Sequence, residues 1–272
     1  FFFLYNNPMK KITIKDVARE AGVSVATVSY IINNREDQKI SPETRNKVLQ
    51  IINLLDYTPN QAAKSLVTQK SQIVALHYKE AESYLQKAEQ LHFINKLTNF
   101  LHNKNYYLMC LSEHYIEKID LADVILTLDV AKEDFYKIGN ANFSPLIALD
   151  SFIDDPVFFQ INSDFQKLKK QAIQYFGETT FTFVSLPIND EKRKELIQNT
   201  FSSIKYVKSV EELDNFDYKN VLIIDSILEQ LISNYYNKLY ISGFSDEKFE
   251  KIFQAIEWAS QRIEINNHNI VV

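Results

Sequence analysis

Cysteine is nearly absent from this chain. Cys110 stands alone among 272 residues, which excludes an internal disulfide and fits a reducing compartment. Set in "YYLMCLS", it reads as an inert core residue. Glycine is scarce as well, with four residues, and no glycine-rich phosphate loop can be drawn. No apolar run approaches the ~18–20 residues that a membrane span requires. The opening "FFFLYNNP" lacks the basic flank and small-residue cleavage site of a signal peptide. Met9, followed by Lys10 and Lys11, reads as the natural start, with residues 1–8 as upstream sequence. The cytoplasm is the default location. His77, His92, His102, His114 and His268 are scattered, with no Cys/His spacing for zinc and no nucleophile elbow. No metal, cofactor or catalytic set is implied, and the chain reads as a non-enzyme.

What is present suits soluble globular protein: 46% hydrophobic and 24% charged residues, in a length that accommodates two or three compact units. The net charge of −5 conceals an asymmetry. Ten basic and six acidic side chains lie between Met9 and Gln72, a balance of +4 that leaves −9 on residues 73–272. A basic head on an acidic body points to a polyanion partner for the head alone. The tyrosines and phenylalanines of the body read as core, because a stacking platform for single strands needs basic residues among its aromatics.

Thr13-Ile14-Lys15-Asp16 matches a helix-capping pattern, and Ile14, Val17, Ala18 and Ala21 follow at the spacing of one buried stripe. Gly22 closes that helix, Val23 plugs the turn, and Ser24 caps a second helix whose inner face is Val28, Ile31 and Ile32. Ser41-Pro42-Glu43 opens a third, with Val48, Ile51, Ile52 and Leu55 inward. Three helices so short must close one small core around a helix-turn-helix. The other face of the second helix, Val25, Ala26, Thr27, Ser29, Tyr30 and Asn33, is small or hydrogen-bonding and carries no acid. Such a rod fits the major groove of B-DNA, although a solvated face of any three-helix bundle has the same pattern.

"TIKDVAREAGVSVATVSYIINN" and "SPETRNKVLQIINLLDYTPNQAAKSL" resemble the DNA-binding headpiece of the lactose/galactose repressor (LacI/GalR-type) family from about Thr13 to Leu66. The resemblance implies base readout by Val25, Ala26 and Tyr30, and phosphate contacts from Thr13, Ser24, Thr27, Ser29, Asn33 and Tyr57. It implies a hinge helix within "PNQAAKSLV" that forms on the operator, with Ala63, Lys64 and Leu66 in the minor groove and Leu66 wedged between base pairs. The loop "NNREDQKI" is about two residues longer than the family's. Val25 and Ala26 offer only apolar contact, such as with a thymine methyl.

Beyond Ser71 the pattern alternates apolar runs with helix-length segments. Strands are expected at 73–76, 107–111, 124–128, 146–149, 157–161, 180–186, 221–224 and 239–241, and helices at 88–101, 165–176 and 191–201. Such alternation predicts parallel sheets covered on both faces, with ligands off the carboxyl ends of the strands. The expected architecture is an α headpiece and hinge helix followed by a periplasmic-binding-protein-like α/β body of two parallel-sheet subdomains. The boundaries are 9–58 for the headpiece, 59–71 for hinge and linker, and 72–163 and 164–272 for the two subdomains, the last with return segments to the first.

Over the body the resemblance to the family is weaker, and by position it implies that Asp164, Arg193 and Asp246 grip an effector. Leu196 replaces a family glycine, Ser245 replaces the first acid of the family's "GF-Asp-Asp" turn, and the chain past Trp258 is too short for the usual closing strands. As a whole the resemblance implies a sequence-specific transcriptional regulator, a repressor, binding a pseudo-palindromic double-stranded DNA operator as a homodimer. A sugar or sugar-phosphate effector in the body cleft accompanies that reading, and no membrane does. The alternative is a small-molecule or corepressor-protein-binding module with a degenerate effector site.

Overall fold

The structure, a computed structural model, describes residues 12–32, 35, 38–57, 70–111, 118–213, 219–232 and 237–272. The chain divides into two compact units, Phe1–Val67 and Thr68–Val272, here the head and the body. Among the described residues no helix is long and apolar enough to cross a membrane.

In the head, α1 (Ile14–Ala21) begins where the backbone N–H and hydroxyl of Thr13 both donate to the Asp16 carboxylate, at 3.0 and 2.7 Å. It ends at Gly22, whose φ of 67° lies in the left-handed region that glycine adopts without steric cost. The N–H of Val23 then reaches back to the carbonyl of Ala18 at 3.1 Å. The helix α2 (Val25–Ile32) opens where the Ser24 hydroxyl accepts the Thr27 N–H at 3.0 Å. In α3 (Pro42–Leu54) Ser41 plays the same part for Thr44. Val17, Ala18, Ala21, Val28, Ile31 and Val48 form a buried cluster, with Ile14, Val23, Ile32, Ile51, Ile52, Leu55 and Tyr57 packed against it. Helices this short are unstable alone in water, so this shared core is what makes them helical.

The body holds two parallel sheets. In the first, β1 (Ile73–Tyr78), β2 (Tyr107–Leu111), β3 (Val124–Leu128), β4 (Leu146–Leu149), β5 (Phe159–Asn162) and β10 (Asn269–Val271) lie in the order β10-β5-β4-β3-β1-β2. In the second, β6 (Thr182–Ser185), β7 (Ile204–Tyr206), β8 (Asn220–Ile223) and β9 (Asn237–Tyr240) lie in the order β7-β6-β8-β9. Strands β3, β4, β6 and β8 are buried along their whole length, as strands covered on both faces must be. One face of the first sheet packs on α4 (Tyr84–Asn103) and α9 (Asp246–Gln261) through Phe93, Leu97, Phe249 and Ile252. The other packs on α5 (Lys132–Ala141) through Phe135 and Ile138. The second sheet is covered by α6 (Phe165–Phe176) and α7 (Glu191–Thr200) on one face, and by α8 (Ser226–Leu231) on the other.

The expected elements need several corrections. Helix α4 starts at Tyr84 rather than residue 88, because Ser83 and Gln86 form a reciprocal cap there. Strand β5 starts at Phe159, and Val157 before it is 72% exposed. The chain past Trp258 does supply a closing strand. Ile270 of β10 lies opposite Ile161, and the segment is held by Gln160 N–H to His268 O at 2.9 Å and Val272 N–H to Asn162 O at 3.0 Å. These are backbone bonds, so no apolar run announces them. Strand β7 was likewise not expected. Cys110 is exposed on β2, at the edge of its sheet, rather than buried in a core.

Candidate nucleic-acid interface and body cleft

Cap, turn and core together fix which way α2 faces. Val28 and Ile31 are buried and Ile32 packs against the same core, while the other side chains of the helix turn outward: Val25 is 40% exposed, Ala26 is exposed, and Thr27, Ser29 and Tyr30 are half-buried. Tyr30 is not sealed in the core. Thr13 and Ser24 are exposed, and Tyr57 is half-buried at the edge of the head core, where burial pushes its phenol pKa up. None of the expected DNA-contacting residues that the structure describes is fully buried. The hydroxyls of Ser24 and Thr27 are hydrogen-bonded to each other at 2.9 Å. Each keeps spare capacity for a phosphate oxygen or a water. Helix α2 carries no acidic residue, and Arg19 of α1 is paired with Asp16 at 3.0 Å. Asn33 and the hinge residues Ala63, Lys64 and Leu66 lie outside the described residues.

In the body, a cleft of about 570 Å³, counting its solvent-open mouth, opens at the carboxyl ends of strands from both sheets. Asp129 follows β3, Asp150 follows β4 and Asp225 follows β8, and Glu89 enters from α4. Against these four carboxylates stands Arg193 of α7, 3.8 Å from Asp129 and 3.7 Å from Asp150. Its Nε is buried and has no hydrogen-bond partner among the described residues. Burial pulls the Arg193 pKa down, and Asp150 and Asp129 more than reverse that, so it stays above its ordinary value.

Behind Asp150, the ammonium of the buried Lys248 donates to it at 2.6 Å, to the Gly243 carbonyl at 3.0 Å and to the Ser163 hydroxyl at 3.3 Å. Burial pushes the Asp150 carboxyl up, but Arg193 and Lys248 hold it below its usual range. Asp129 is pushed up to about 6 by burial, in spite of Arg193 and the Asn189 and Asp190 amides. Asp225 is pushed up to about 7 by burial and then by Glu89.

Of the three residues expected to grip an effector, only Arg193 lines this cleft. Asp164 caps α6, its carboxylate accepting the Lys167 N–H at 2.9 Å. Asp246 is exposed in the first turn of α9, whose cap is Ser245. The carboxylates that do line the cleft are not among the expected residues, yet the sequence holds a signal for three of them. "VILTLD", "LIALD" and "VLIID" are apolar strands ending in an acid, and the carboxyl edge of a parallel sheet is where ligands sit.

Residues 13–60 match the family described as "Bacterial regulatory proteins, lacI family". Catabolite control protein A of Staphylococcus epidermidis is 25% identical over 239 residues, 82% of this chain and 71% of that protein. The regulator GalS of Salmonella typhimurium is 52% identical over 65 residues, 24% of this chain and 18% of that protein. Among solved structures, the Lac repressor bound to ONPG in its repressed state superposes with a TM-score of 0.57 at 13% identity, covering 97% of both chains. The Lac repressor dimer bound to operator and the anti-inducer ONPF gives 0.54 at 14%, covering 97% of this chain and 96% of that one. At such identities these structures establish the fold. Residues 13–60 are therefore similar to the lacI family of bacterial regulatory proteins, and the chain shares the fold of the Lac repressor.

Proposed function

We propose that this protein is a transcriptional regulator, a repressor, that binds a pseudo-palindromic operator as a homodimer, one head on each half-site. The observation that carries the reading is the outward, acid-free face of α2, held by an inward stripe of Val28 and Ile31. Val25 and Ala26 meet base edges by apolar contact, Tyr30 adds a hydrogen-bonding hydroxyl, and Thr13, Ser24, Thr27, Ser29, Asn33 and Tyr57 take the phosphates. Residues 59–71 serve as the hinge, with Leu66 opening a base step beside Ala63 and Lys64. The lacI-family match over 13–60 supports this assignment.

The body carries the dimer contact and the effector cleft. Four carboxylates against one guanidinium at its walls favour a neutral, hydroxyl-rich ligand such as a sugar over a sugar phosphate, whose dianion they repel. Arg193 is the donor fork for such a ligand. Selection of random oligonucleotides by the purified protein tests the reading. An enriched inverted repeat is the expected outcome, and a pool left without any enriched sequence overturns it. Calorimetry against mono- and disaccharides and their phosphates separates the effector classes.

A further inference from the structure

The body's two lobes, one on each sheet, are joined by bonds that belong to the chain itself. The first turns of α4 belong to the lobe of the first sheet, yet Leu85 is buried in the core of the second, with Val184, Leu186 and Leu228. One residue on, Gln86 Nε2 donates to the Pro187 carbonyl at 2.9 Å. Glu89, 6% exposed, accepts the Ser226 N–H at 3.0 Å, the Ser226 hydroxyl at 2.8 Å and the Ile227 N–H at 2.9 Å, all in the second lobe. Asp129, just after β3, repeats the arrangement elsewhere in the cleft. It accepts the Asn189 N–H and side-chain amide, each at 3.0 Å, and the Asp190 N–H at 3.2 Å.

A two-lobed cleft commonly shuts because a ligand offers hydrogen bonds to both sides at once, which is differential affinity for the closed state. Here buried carboxylates already do so, through charge-assisted bonds to backbone amides, which are among the stronger kinds. We propose that Glu89 and Asp129 clamp the body shut from within, so that the closed arrangement needs no bound small molecule. An effector entering this cleft then works against existing bonds, by drawing these carboxylates off the second lobe's amides, rather than by supplying the closure. The inference concerns the body alone. DNA affinity is a separate readout, so the failure of either reading leaves the other standing.

The test is an inter-lobe distance measured by pulsed electron spin resonance on the full chain without added ligand. The exposed Cys110 is replaced (Cys110→Ser), and labels are placed at Glu133→Cys on α5 and Gln171→Cys on α6, both exposed positions. The expected result is one narrow, short distance that gains a longer-distance population in the Glu89→Gln/Asp129→Asn variant. Far-UV circular dichroism reports whether the double variant folds. If it does not, Glu89→Gln alone gives a smaller shift in the same direction. A broad or long distribution in the unmodified clamp overturns the proposal, and so does a folded variant whose distance stays unchanged.

Discussion

At the scale of single residues, the cleft carboxylates govern how stability depends on pH. Asp225 sits at about 7, raised by burial and by the nearby Glu89, whereas an aspartate in the unfolded chain titrates near 3.9, as model peptides do at about that value. Between those limits the folded state keeps a proton that the unfolded state has released. Its contribution to stability is therefore whole below about pH 4 and is lost as pH rises through 7, at up to ~1.4 kcal/mol per pH unit. Asp129, at about 6, has the same sign over a narrower window.

Asp225→Asn keeps an acceptor for the Leu186 N–H and removes the titration. The thermal midpoint of this variant should fall less than that of the unmodified protein between pH 5 and pH 8, and should exceed it at pH 8. Parallel slopes would show that Asp225 does not hold that proton. Residues of this kind were only half legible in the sequence. An acid after an apolar strand is visible, but its meeting with Glu89 and Arg193 depends on which strands are neighbours. Asp164 and Asp246 match the family only in chain order, and each lies at the start of its own helix.

At the scale of elements, the head was readable almost throughout because its signals are local. A cap, a stripe at 3, 4 and 7, and a left-handed glycine lie within a few residues of one another, and the observed core contains every inward residue that the stripes specify. Strands β7 and β10 are three residues long and depend on a partner far away in sequence, so nothing nearby marks them.

Two substitutions separate the roles of the turn and the helix. Gly22→Ala forces a side chain into φ 67°, a conformation that costs an L-residue roughly 1–2 kcal/mol. It should lower the melting temperature of the head. Ala26→Glu places an acid on the exposed face of α2, where a surface change usually alters stability by within about 0.5 kcal/mol. Its thermal midpoint should stay close to that of the unmodified protein, while mobility-shift titrations on the selected repeat lose specific binding. Retained affinity in Ala26→Glu would remove α2 from the groove.

Over the whole molecule, charge is unevenly divided: +4 between Met9 and Gln72 against −9 on residues 73–272. An acidic body repels a phosphate backbone, so the proposed attraction to DNA must rest on the head and its linker. Each phosphate neutralised releases counterions, and log affinity falls with log salt at a slope near −0.9 per contact on B-DNA. If the proposed dimer binds as argued, its slope should be set by the cationic contacts, since the neutral hydroxyls of Thr13, Ser24, Thr27 and Tyr57 would position the helix without releasing ions. Lys15 is exposed on α1, so Lys15→Gln should weaken binding to all sequences alike and make the slope shallower by about 1 per contact removed, or about 2 in a dimer. Ala26→Glu, by contrast, should abolish the preference for the selected repeat over the scrambled duplex. Fluorescence anisotropy on the selected repeat and on a scrambled duplex, from low to physiological salt, gives both quantities in one experiment. A slope near zero for the unmodified protein would mean that the head meets a partner other than a nucleic acid, and its basic balance would then need a different account.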